Sequence, residues 1–229
     1  KDAERAIKIA KNNLENAKSV FTAYSREIFN RKSSDVNLLR IIDSCTLRSG
    51  TTVPTAIEKN NGDVPYLKVA DMNMSENDPF IITSTRFFNI TDTKDNWIIP
   101  NGSVIFPKRG GAIFTNKKRL TVVPVCLDLN IMAVIPKKEI LPEYLYFYFL
   151  GTDLASISNG SSIPQINNYS LDPLLISVPK SLDSQRKIVN DLKLLFENTK
   201  ALESIYAEKL AVFENLKKSV LNKAFRGEL

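Results

Sequence analysis

Apolar residues recur at alternating steps of four and three at both ends of the chain, and this limits its architecture more than any other feature. Ala3, Ile7, Ala10, Leu14, Ala17, Phe21, Tyr24 and Ile28 form the first series, eight matches out of eight. The second runs through Ile188, Leu192, Leu195, Thr199, Leu202, Tyr206, Lys209, Phe213, Leu216 and Val220, where only Thr199 and Lys209 interrupt it. Such alternation is the seam of a coiled coil, and polar residues within it fix register at some cost in stability. At about 1.5 Å per residue the helices would run roughly 48 and 69 Å. Neither buries its stripe alone, so the pattern predicts an antiparallel pair closed through the intervening segment. Two amphipathic helices laid on a globular core are the other arrangement the pattern permits.

The first helix is expected to end near Arg31 to Ser34. Ser181 or Asp183, just after Pro179, supplies a cap for the second. The chain therefore reads as a helix over 1–34, a mixed domain over 35–180 and a helix over 181–229. Within the domain, strand-like runs occupy Val64–Val69, Ser103–Phe106, Leu120–Leu127 and Ile131–Ile135. Asn60-Asn61-Gly62-Asp63 and Asn101-Gly102 mark turns. Pro142 opens a short helix through Leu150, with Glu143 in its first turn. Its aromatics, Tyr144, Tyr146, Phe147, Tyr148 and Phe149, suit core packing better than base stacking. The fold class expected is α+β: one mixed α/β domain flanked by two long helices.

Composition narrows the chemistry. Hydrophobic residues make up 43% of the 229, enough for a core. No apolar run approaches the roughly 18–20 residues of a membrane span, and no signal-peptide pattern opens the chain. Cys45 and Cys126 are isolated and read as reduced thiols of a cytoplasmic protein. The chain starts at Lys1 with helical patterning already under way, which reads as a piece of a longer protein. The absence of histidine excludes His-based triads and His general bases. No phosphate-cradling glycine loop, Asn-Pro-Pro-aromatic tetrapeptide or Glu-x-Lys nuclease pair is present. No metal site is expected.

The net charge of +6 is unevenly spread. Residues 1–32 carry +4, residues 181–229 carry +2, and residues 33–180 balance fourteen bases against fourteen acids. Within that neutral domain, Gly102–Arg119 (GSVIFPKRGGAIFTNKKR) holds Lys108, Arg109, Lys117, Lys118 and Arg119 with no acid. Gly110 and Gly111 permit a tight turn and close backbone approach. The segment reads either as a phosphate-contacting edge or as a solvated basic hairpin. A second segment, Ser158–Pro179, presents Ser161, Ser162, Gln165, Asn167 and Asn168. Gln and Asn pair bidentately with adenine edges, but a polar loop leading into a strand explains each of them singly. A third set, Arg48, Thr51, Lys68 and Asn73, consists of loop and strand-end residues when read alone.

In order along the chain, SGTTVP, YLKVADMN, IFPKRGGAI, IPQINNYSLDPLLISVPKSLDSQRKIV and ENLKKSVLNKAFRGEL resemble the C-terminal half of a type I restriction enzyme specificity subunit. Each motif is loose and the ordered set is specific. Ser184 stands before Gln185 where that family often has an acid. The resemblance implies a non-catalytic subunit whose recognition domain reads one half of a split site in double-stranded DNA. The helices would act as a spacer and dock a methyltransferase (modification) subunit and, through it, a restriction subunit. S-adenosylmethionine and ATP would belong to those partners. The recognition domain of a single-chain adenine methyltransferase is the alternative from the enzyme class. A coiled-coil scaffold that never meets DNA is a third reading, and it leaves the basic cluster unexplained.

Overall fold

The computed structural model describes residues 2–160 and 162–227. Lys1, Ser161, Glu228 and Leu229 lie outside the described residues, as do the side chains of Asp2 and Ala3. The chain divides into two compact units, Lys1–Glu27 with Asn190–Leu229, and Ile28–Val189.

The first unit is helical. It is built from α1 (Asp2–Phe29) and most of α4 (Leu182–Phe225). Glu4 pairs with Lys217 at 3.1 Å, Lys11 with Glu214 at 3.7 Å, and the Phe21 ring meets the Phe196 ring edge-on at 5.2 Å. Residue numbers rise on one helix as they fall on the other, so the pair is antiparallel. On α1 the expected seam holds through Phe21: Ala10, Ala17 and Phe21 are buried, and Ile7 and Leu14 are half-buried. Beyond that it turns by one residue, so that Ser25 is buried while Tyr24 is exposed. Ile28, expected in the seam, belongs to the other unit.

On α4 alternate seam positions are displaced by one. Leu192 and Thr199 are buried, and Tyr206 and Phe213 are half-buried, as the pattern requires. Leu202, Lys209 and Leu216 are exposed, and their successors Glu203, Leu210 and Lys217 take the half-buried places. Leu195 and Phe196 share that burial, but the ring contact to Phe21 belongs to Phe196. The expected seam roles of Leu202 and Leu216 are thus corrected. Neighbouring positions on a helix lie about 100° apart, so two candidate stripes overlap along their edge. The Phe21–Phe196 contact and the Glu4–Lys217 pair select the second of them, with long charged side chains covering apolar surface by their stems. Thr199 is accommodated in the seam because its hydroxyl donates to the Phe196 carbonyl at 2.9 Å. Leu194, Ile205, Val212 and Leu216 recur at helical spacing as a second, exposed apolar stripe.

The second unit is mixed. Its first strands are β1 (Val36–Arg40), β2 (Cys45–Ser49), β3 (Val64–Leu67), β4 (Phe80–Ile81), β5 (Phe87–Phe88) and β6 (Ile98–Ile99). The rest are β7 (Val104–Pro107), β8 (Arg119–Thr121), β9 (Val125–Leu127), β10 (Ile131–Pro136) and β11 (Leu175–Pro179). The short helices are α2 (Ile41–Ser44) and α3 (Pro142–Leu150). A five-stranded sheet runs β2-β10-β7-β8-β4, a four-stranded sheet β5-β3-β9-β6, and β1 pairs with β11. Most pairings are antiparallel; β3 with β9 and β4 with β8 are parallel. In β10, Ile131, Met132, Ala133 and Val134 are all fully buried. A central strand covered on both faces gives such an unbroken apolar run instead of alternation.

Helix α3 begins at Pro142, as expected, and its aromatics are core. Tyr144 through Phe149 are all buried, and Phe149 packs on Phe106 of β7 with centroids 5.5 Å apart. The Tyr144 hydroxyl donates to the Ser177 carbonyl at 2.6 Å, tying α3 to β11. The Ser181 hydroxyl accepts the Asp183 N–H at 3.2 Å, which is the cap expected for α4. Gln185, fully buried in that first turn, donates to the Glu139 carbonyl at 2.7 Å and the Pro179 carbonyl at 3.1 Å. Its carbonyl oxygen accepts the Leu141 N–H at 2.9 Å, where α3 has no side-chain cap of its own. One amide thus supplies an acceptor at the start of α3 and ties the carbonyls of Glu139 and Pro179 to the first turn of α4.

Candidate nucleic-acid interface

Three loops distant in sequence are joined at the end of β7. Past Pro107 the chain stays extended and pairs with Pro164–Ile166. The Ile166 N–H donates to the Lys108 carbonyl and the Gly110 N–H to the Pro164 carbonyl, both at 2.8 Å. Asn159 and Gln165 exchange two further backbone hydrogen bonds, each 2.7 Å, which closes the loop between them. Ile166 is fully buried, so by strand alternation its neighbour Gln165, half-buried, faces the other way. The third loop enters through Lys108, whose ammonium donates to the Ser49 hydroxyl at 2.7 Å. Gly50 beside it is required by close approach: a Cβ there would lie 2.1 Å from the Asp128 carbonyl oxygen. Arg109 lies directly across from Gln165 in this pairing, so these two side chains share a face, while Lys108, one residue along, reaches the start of the Gly50–Thr51 loop through Ser49.

Gly110 has φ of +72°, the left-handed region that favours glycine, and open space surrounds the Cβ positions of both Gly110 and Gly111. They open a 3-10 turn, Gly110–Thr115, closed by Asn116 with φ of +53°. Lys117 follows, half-exposed, its ammonium donating to the side-chain Oδ1 of Asn73. Burial and the adjacent Arg109 hold the Lys108 ammonium below the ordinary lysine value. Ser162 and Asn168 are exposed, and Asn167 is half-buried with its amide donating to the Tyr169 hydroxyl at 3.1 Å.

A family model described as the type I restriction modification DNA specificity domain matches residues 33–210. The chain belongs to that family. The specificity subunit of the type I restriction enzyme MjaIX of Methanocaldococcus jannaschii is 29% identical over 192 residues. That match takes in 78% of this chain and 42% of that subunit, so the chain spans less than half its relative's length. Among solved structures, a chain from work on complex assembly and conformational transition of the type I R-M system superposes with a TM-score of 0.78 at 18% identity. All of this chain and 56% of that one are covered. The HsdS subunit from Thermoanaerobacter tengcongensis gives 0.66 at 19% identity, covering 99% and 55%. At these identities the structural likeness concerns the fold.

Within the specificity domain the five basic residues do not form one exposed cluster, and two of the expected contacts are corrected. Lys118 is 2% exposed; its ammonium donates to the side-chain Oδ1 of Asn116 at 2.7 Å and to the Thr152 backbone carbonyl at 2.6 Å. The same Asn116 oxygen accepts the Leu154 N–H at 2.9 Å. Lys118 therefore anchors the turn to the segment that follows α3, and does not face solvent. Arg119 opens β8, which is buried on both faces, and its guanidinium pairs with Asp78 at 3.2 Å and bonds the Lys118 carbonyl at 3.0 Å. Two other candidates are tied down as well. The half-buried Arg48 donates to the Ile98 carbonyl at 3.0 Å, linking β2 to β6. Lys68 pairs with Glu58 at 3.2 Å. The Thr51 N–H donates to the Leu127 carbonyl at 2.9 Å, so its backbone is structural. Sequence reading passed over Phe114, Ile163 and Tyr169. All three are exposed and belong to the two segments that pair.

The buried lysine makes a testable pH dependence. Burial brings the Lys118 ammonium down from 10.5 to about 7, against the opposing pull of Asp153. A lysine whose folded pKa is depressed keeps its proton in the unfolded chain while the folded chain has lost it, over the interval from about 7 up to the ordinary lysine value. Stability from this group therefore rises with pH across that interval. Between pH 7 and 9 the wild type should gain stability relative to Lys118→Met, measured as denaturant midpoints at several pH values. Parallel profiles for the two proteins would refute the inward, desolvated placement.

Proposed function

We propose that this chain is a non-catalytic specificity subunit, or part of one, that reads one half of a bipartite site in double-stranded DNA and docks a separate methyltransferase subunit. The observation that carries the reading is the backbone pairing of Lys108–Gly110 with Pro164–Ile166. It sets Arg109 beside Gln165, and a base next to an amide suits the division between phosphate contact and base-edge contact that sequence-specific binding needs. Family membership supports the same reading. The antiparallel helices suit a spacer between half-sites, and the exposed stripe of Leu194, Ile205, Val212 and Leu216 supplies an apolar face for the methyltransferase subunit. The restriction subunit joins through that partner. S-adenosylmethionine and ATP are bound by the partners, and the complex works in the cytoplasm. Co-expression should yield a stable complex with a modification subunit. Labelled S-adenosylmethionine should methylate DNA in that complex and not with this chain alone. Methyl transfer by the purified chain would overturn the non-catalytic assignment.

A further inference from the structure

In the unit Ile28–Val189, the three most exposed large apolar side chains among the described residues are Phe114 at 66%, Tyr169 at 62% and Ile163 at 59%. All three fall on the two segments joined by the Lys108–Ile166 and Gly110–Pro164 hydrogen bonds. Apolar surface is lost to water at a cost, and scattered exposed residues need no explanation. Three gathered on two paired loops that also carry Lys108, Arg109 and Lys117 do need one.

The turn that carries Phe114 is firmly held. Ile113 beside it is fully buried, the Asn116 N–H donates to the Ile113 carbonyl at 2.9 Å, and the Thr115 hydroxyl to the Ala112 carbonyl at 2.7 Å. The backbone is fixed while the ring is left in solvent. The open space about Gly110 and Gly111 lets a ligand come close to that backbone. Tyr169 is oriented by the Asn167 amide at 3.1 Å. A surface with cations beside fixed, exposed rings fits a partner that is anionic and presents flat apolar faces, and nucleobases on a phosphate backbone have that chemistry. We propose that Phe114, with Tyr169 and Ile163, meets bases in the bound duplex, and that the Phe114 ring enters a base step and parts its stack. The proposal rests on the DNA-reading function above and adds a residue that works by neither phosphate contact nor base-edge hydrogen bonding.

The test uses the chain in complex with its modification subunit and duplexes that the wild type selects from a randomised pool. Permanganate, which oxidises unstacked thymines, is the probe. Wild type should create reactive thymines at a fixed place in the selected sequence. Phe114→Ala should lose them and bind about tenfold or more weakly, with the salt dependence of binding unchanged because no phosphate contact is removed. Phe114→Trp should restore both. The ring is exposed, so melting temperature should not move in either variant. Phe114→Ala that binds as tightly and leaves the same reactive thymines overturns the proposal. So does Phe114→Ala that sheds the modification subunit, which would make this a protein contact. Wild type that selects no duplex at all overturns the DNA reading, and this inference with it.

Discussion

Leu192→Asp should melt the helix pair, and Leu202→Asp should not. Sequence periodicity puts both leucines in one seam; the structure leaves Leu192 fully buried and Leu202 42% exposed. An aspartate at 192 removes a buried side chain and places an unpaired carboxylate in the seam, a loss of about 4–5 kcal/mol. At 202 the carboxylate stays in water and the change should remain within about 1 kcal/mol. Circular dichroism during thermal unfolding separates the two. Equal losses from both would mean that α4 faces α1 through the stripe read from the sequence, and that the rotation fixed by Phe21 and Phe196 is wrong. Leu202→Asp has a second use, because it lies near the exposed stripe assigned to the methyltransferase subunit. Loss of that partner without loss of melting temperature would support docking there.

The long helices, α3 and the central strands were legible in the sequence because each has a local cause. Pro142 starts α3 at the residue where it was placed, and the runs around Val104 and Ile131 are apolar without a break. Strands β4, β5 and β6 were missed because two residues carry no period. The pairing of β1 with β11 was invisible for a different reason: Val36 meets Pro179 across most of the domain, and nothing local encodes it. The seam of α4 was legible only to within one residue. Leu195 and Phe196 are both apolar, so only the partner helix decides which of them faces it.

The site divides in the same way. An excess of lysine and arginine between Gly102 and Arg119 is a property of composition; the direction each side chain takes is not. Lys117 and Lys118 are adjacent, and successive residues of an extended chain point to opposite sides, so one is half-exposed and the other enters the interior. Asn116 offered a signal that could have been read. Asparagine is one of the few non-glycine residues that adopt the left-handed conformation, which Asn116 takes at the end of the turn. Gln185 gave no such signal, because its three partners lie on Glu139, Leu141 and Pro179.

That geometry reassigns the residues whose removal should change DNA binding most. Lys108 and Arg109 together are the basic pair on the joined loops, and Lys108 uses one of its three N–H groups on Ser49, leaving others for a phosphate. In the complex with the modification subunit, Lys108→Ala with Arg109→Ala should weaken binding to every sequence about tenfold or more. It should also flatten the log–log salt dependence by nearly two units, at about 0.9 per phosphate contact. The pair Lys117 and Lys118, equal candidates by sequence, should flatten it by about one unit at most, since Lys118 is spent on Asn116 and Thr152. Gln165→Ala should behave differently from all of these. It should lose about 1–3 kcal/mol on the selected sequence, little on random duplex, and leave the salt slope as it was. Binding titrations at several salt concentrations, on selected and random duplexes, distinguish the three patterns. If Lys108→Ala with Arg109→Ala kept the wild-type slope while Lys117→Ala with Lys118→Ala lost two units, the interior placement of Lys118 would be wrong, and the face that meets DNA would lie around the second turn and not along the paired loops.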